Sequence, residues 1–183
     1  MKKRLLFLVA SIFMICMGAT AQNVVYDQTN ENGVRTVICS GVNTGVSNGI
    51  DAYVALAGFQ LKSTVRYAIA VSIGSGAQTD IPTNSKMVIT LANGKVLELT
   101  AVAGGSGILQ TIDVQLSDVY ATYRRFAYYN IKEKDLKKMQ KSTVQQLEIQ
   151  LSPADYSVGF NNNNLGASLT SSYMTLENLF KGK

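Results

Sequence analysis

The chain has 183 residues, 17 Lys and Arg against 12 Asp and Glu, two cysteines, and neither histidine nor tryptophan. Without histidine there is no Ser-His-Asp triad, no Cys-His pair, no His-ligated zinc and little general-base chemistry near neutral pH. The two cysteines, Cys16 and Cys39, are too few and too far apart for a Cys-rich zinc site or a CxxC redox pair.

The first 21 residues have the layout of a secretory signal peptide. Lys2, Lys3 and Arg4 form a basic start, Leu5 to Gly18 an apolar run, and Ala19-Thr20-Ala21 a small-x-small cleavage site. The run is short of the roughly 20 residues that a membrane-spanning helix needs. Phe13-Met14-Ile15 ahead of Cys16 are not the small residues that lipid attachment requires. The expectation is therefore export to the periplasm, the cell surface or the medium. Residues 22–183 then form a single globular β-rich domain with no transmembrane segment. Removing the leader takes away three basic residues and leaves 14 against 12 acidic ones. A net charge of +2 gives no cationic footprint for nucleic acid, so no nucleic-acid partner is expected. Cys39 becomes the one thiol of the mature chain. It is expected to be a buried small hydrophobe on a strand. An odd cysteine in an exported protein also raises an intermolecular bridge or a reactive thiol.

In chain order, residues 24–40 read as a β-hairpin around Asn32-Gly33. Gly41 to Gly49 reads as a loop by composition. Asp51 to Ala57 reads as a short strand, with Gly58 as a bend or bulge. Phe59 to Ile73 carries the strongest strand pattern. Val65, Tyr67, Ile69, Val71 and Ile73 share one face, and Arg66, Ala68, Ala70 and Ser72 the other. The small residues would let something approach that second face closely, or another element covers it. Met87 to Leu99 reads as a hairpin with a two-residue Asn93-Gly94 turn, pairing Leu91 with Val96, Thr90 with Leu97 and Ile89 with Glu98. That register places apolar residues on both faces.

Ala103 to Gly107 is a Gly-rich break, Leu109 to Leu116 alternates as a strand, and Tyr120 to Asn130 is aromatic and β-prone. Leu136 and Met139 predict a short amphipathic helix over 132–141. Gln145 to Leu151 returns to strand, closed by Pro153. Asn161 to Asn164 is a loop. Leu169, Tyr173, Leu176 and Phe180 predict a C-terminal helix over 167–180, whose Ser and Thr content obliges it to dock. Strands followed by helices predict an α+β fold, mostly antiparallel sheet, with a β-sandwich bearing peripheral helices as the alternative.

The Gly-rich segments match no phosphate-binding or nucleophile-elbow pattern. Asp27, Thr29, Glu31 and Gly33 miss the calcium-loop spacing. No cofactor, no metal ligand and no catalytic residue is assigned. The segment 120–129 holds four of the nine tyrosines and two adjacent arginines. Tyr123, Arg124, Arg125 and Tyr128 are the candidate ligand-binding residues, because guanidinium beside phenol can hold an anionic or glycan ligand by stacking and bidentate hydrogen bonds. On a strand, Arg124 and Tyr128 fall on one side and Tyr123 and Arg125 on the other. The competing expectation is a strand whose tyrosines cap the core.

The Ala21-Gln22 junction, followed by hairpin 87–99, aromatic strand 120–129, Lys-rich helix 132–141, strand 144–151 and a C-terminal helix, resembles small secreted Bacteroidetes proteins of unknown function. The resemblance covers about half the chain and implies no functional residue. The expected function is a non-enzymatic binding or envelope-associated module, whose partner is a protein or a small-molecule or glycan ligand. The alternatives are a carboxylate-based glycan-active enzyme and a self-assembling surface subunit.

Overall fold

The computed structural model describes residues 23–77, 79–102, 107–115, 118–162 and 164–182, with the backbone alone over 107–115 and 118–123. The expected leader, 1–21, lies outside the described residues, as does most of the 103–107 break. No helix among the described residues is long and apolar enough to cross a membrane.

The first hairpin forms as expected, from β1 (Val24–Thr29) and β2 (Arg35–Cys39). Gly33 turns it at a φ of 73°. The segment 41–49 corrects the expected loop. It contains β3 (Val42–Ser47), which pairs with β4 (Ile50–Leu61) across an Asn48-Gly49 turn with both residues at positive φ. Its polar composition is tolerated because β4 supplies the ladder and an irregularity between Asn43 and Val46 absorbs the misfit.

The chain turns at Lys62-Ser63, so Phe59 belongs to β4, and the alternating run is β5 (Thr64–Ser75). Gly58 is no bend. It sits mid-strand, where an added Cβ would collide with the Phe180 ring. After β6 (Lys86–Leu91) and β7 (Val96–Thr100), the chain forms β8 (Gly107–Gln115) and β9 (Asp118–Ile131). Helix α1 (Glu133–Lys141) buries Leu136 and Met139 as expected. Then come β10 (Val144–Ile149), the unforeseen β11 (Tyr156–Gly159) and helix α2 (Asn164–Lys181).

The β6–β7 hairpin differs from expectation by one residue. Thr90 faces Val96, Ile89 faces Leu97 and Met87 faces Leu99. Leu91 N–H donates to the Lys95 carbonyl at 2.9 Å, so the loop has three residues and Gly94 takes the positive φ of 77°. A one-residue slip exchanges the faces of a strand. Met87, Ile89, Leu91, Leu97 and Leu99 consequently share one buried face, and both-sided apolarity disappears.

These strands make two antiparallel sheets, β1-β2-β4-β5-β9-β8 with β3 beside β4, and β11-β10-β6-β7. With the two helices they form the expected α+β fold. One face of the larger sheet, its inner face, packs against the smaller sheet and both helices. Val37, Val54, Leu56, Ile69, Val71, Ile73, Tyr129, Met87, Ile89, Leu136 and Leu176 meet in this single core. Close-packed aliphatic side chains of this kind carry most of the stability of a domain.

Candidate functional site

Period-two alternation assigns the other residues of the same strands to the outer face. Three cross-strand rows build it. Asp51, Gly74 and Arg124 stand side by side on β4, β5 and β9. Tyr53, Ser72 and Phe126 form the next row, and Ala55, Ala70 and Tyr128 the third. Ala57 and Ala68 follow, with Ile38 beside Ala57.

The floor is thus alanine, and it has a physical consequence. Side chains one methyl tall leave room for large neighbours to lie across them. Phe59 and Tyr128 meet edge to face at 5.6 Å between ring centroids. Tyr26, Ile38, Ala55, Ala57 and Ala70 form a second hydrophobic cluster with Val25, Phe59 and Tyr128 packed against it. Burial pushes the Tyr128 hydroxyl up to about 12, with the nearby Tyr26 adding to the shift. Burial also raises Tyr26, whose hydroxyl donates to Gln28 Oε1 at 3.3 Å. Neither phenol ionises at neutral pH, so both act as apolar rings with a neutral hydroxyl.

One end of the face is charged. Gly74 lets the Asp51 carboxylate reach across β5, since an added Cβ would collide with it. Arg124 donates to Asp51 Oδ2 at 3.4 Å and stacks over Tyr53 at 5.7 Å. Tyr53 in turn accepts from Asn43 Nδ2 at 3.1 Å.

The four residues singled out in the sequence do not converge. Arg124 and Tyr128 are on the outer face, two rows apart. Arg125 points inward and is buried. Its Nε donates to the Thr79 carbonyl at 3.0 Å and its guanidinium pairs with Asp80, stitching that connection to β9. Arg125 is a structural clamp. The Tyr123 side chain lies outside the described residues; its backbone pairs with Ser75. Asp51, Tyr53, Tyr26 and Phe59 were missed. Only the register across β4, β5 and β9, and for Tyr26 the pairing of β1 through β2 to β4, brings them to one face with Arg124 and Tyr128.

A second surface feature lies on the outer side of the smaller sheet. Lys86, Val88, Glu148, Gln150, Asp155 and Ser157 line a depression of about 580 Å³. Both carboxylates are engaged within the protein. Glu148 accepts from Gln146 at 2.7 Å, and Asp155 accepts from the Leu151 N–H at 2.9 Å. No cluster of three metal-ligating side chains occurs among the described residues.

Cys39 is fully buried on β2, as its composition implied. Its thiol is pushed up to about 11 by burial, against a weaker opposing effect of its hydrogen bond to the Ser172 carbonyl. A thiol so placed neither attacks nor cross-links in the closed fold.

No protein-family model matches the chain, and no curated protein or solved structure matches it either.

Proposed function

We propose that this protein is an exported, non-enzymatic binding module whose contact surface is the outer face of the larger sheet. The observation that carries this is the second hydrophobic cluster, set on the face opposite both helices and the smaller sheet. Aromatic rings over an alanine floor, with Arg124 and Asp51 at one end, offer apolar area and one polar anchor. That combination suits a partner with an apolar body and a polar end. Export, to the periplasm, the cell surface or the medium, is supported by the leader-like segment 1–21.

The test is native mass spectrometry of the protein from the envelope and medium of its own host. Wild type is compared with the double variant Phe59→Ser and Tyr128→Ser. A mature mass starting at Gln22, with a bound molecule that the variant lacks, is the expected result. A bare chain from both proteins would overturn the proposal.

A carboxylate-based glycan-active enzyme is the second reading, favoured by one observation: Glu148 and Asp155 line the same polar depression. Turnover of a glycan substrate, abolished by Glu148→Gln or Asp155→Asn, would replace the binding module with that enzyme.

A further inference from the structure

Two pairs of buried hydroxyls join elements of the core. Thr44 Oγ1 meets Tyr156 OH at 2.8 Å, and Ser85 Oγ meets Tyr129 OH at 2.9 Å. The C-terminal helix is different. Thr170 Oγ1 and Ser172 Oγ are enclosed without a hydrogen-bond partner, and both fall within three residues of α2. Tyr173 OH, by contrast, has the Glu133 and Glu177 carboxylates beside it as acceptors. Enclosed polar atoms without partners are rare and unfavourable. The same stretch, Ser168 to Thr175, is rich in Ser and Thr, which are weak helix formers.

Both penalties fall on one step, the docking of α2, and not on the sheets. Docking is held by apolar contacts: Leu165, Leu169 and Leu176 in the core, and Tyr173 against Tyr67 at 5.4 Å. We propose that α2 is a releasable strap, which lifts from the inner face of β2 and β4 while the sheets stay folded. Lifting hydrates the Thr170 and Ser172 hydroxyls, so opening recovers part of what docking loses. Local opening of such a unit below the cost of global unfolding is a general property of weakly held elements.

The reporter is already in place. Cys39 Sγ lies 3.8 Å from the Ser172 carbonyl, beneath the helix, and is 0 % exposed. It is the single thiol of residues 22–183, which contain every described element. The experiment is thiol labelling of that chain in native buffer, corrected by the labelling rate in denaturant. Amide exchange of β4 and β5 is measured alongside. The expected result is Cys39 opening at least about tenfold more often than the slowest β4 and β5 amides. Ser172→Ala and Thr170→Ala remove an enclosed hydroxyl and keep the backbone carbonyl. Each is expected to slow labelling by about fivefold or more, leaving β4 and β5 exchange unchanged. Labelling only at the global opening rate, or equal rates in wild type and both variants, would overturn the proposal.

Discussion

The two faces of the larger sheet are made by the same strands and differ in what alternates along them. On β5 the inner positions are Val65, Tyr67, Ile69, Val71 and Ile73, and the outer ones are Arg66, Ala68, Ala70 and Ser72. The inner side chains are tall and interlock with a second layer. The outer ones are short, and aromatic rings from β1, β4 and β9 lie over them. Tall side chains commit a face to a neighbouring layer, whereas short ones leave its covering to side chains that can move. The inner face therefore carries most of the packing, and the outer face is the one proposed for contact.

The largest effect that would break this comparison is on the inner face. Leu56→Ala, at a fully buried site, is expected to destabilise by about 2–5 kcal/mol in urea unfolding. Tyr128→Ala on the outer face removes a half-buried ring and its contact with Phe59, and is expected to cost no more than about 2 kcal/mol. Equal losses would erase the distinction between the faces.

Glycines sharpen it. Gly58→Ala places a methyl against Phe180 and the Leu176 side chain, and is expected to cost about 1–3 kcal/mol by loosening the last turns of α2. Gly74→Ala meets only the flexible Asp51 carboxylate, so it is expected to displace that group from Arg124 at a cost of about 1 kcal/mol or less. Thermal unfolding of the two variants ranks them directly.

The smallest effect is electrostatic and concerns the helices. Lys137 holds the Glu133 carboxyl below its ordinary value of 4.5, and Lys181 does the same for Glu177. A carboxyl lowered in the folded state contributes stability that is fully present above the unfolded value and lost as pH falls through the folded one. Both pairs are on the surface, so the contribution is modest. The urea midpoint of Lys137→Met is expected to fall less than that of wild type between about pH 6 and about pH 3. An identical fall would show that the pair contributes nothing.

Much of this fold was legible because burial is periodic. The two faces of β5, the Leu136 and Met139 face of α1 and the helical spacing on α2 all follow from which residues recur. What failed did so for definable reasons. Asn93-Gly94 suits two-residue and three-residue loops alike, and the choice between them sets every contact of the hairpin. Lys62-Ser63 turns without glycine or asparagine, so the end of β4, Phe59 to Leu61, was read as part of the β5 run. The β3 strand is held by its partner and not by its own propensity. The opposite sides of Arg124 and Arg125 were legible from alternation. The Asp51, Gly74 and Arg124 row was not, because it depends on register across three strands far apart in sequence.

The most direct measurement is hydroxyl-radical footprinting of residues 22–183, alone and after addition to an envelope fraction from the host. The account predicts that Phe59 and Tyr128 are oxidised in the isolated chain and become protected in the envelope fraction, with Tyr129 and Tyr156 protected in both. Unchanged oxidation of Phe59 and Tyr128, or protection confined to the depression around Lys86 and Glu148, would contradict it.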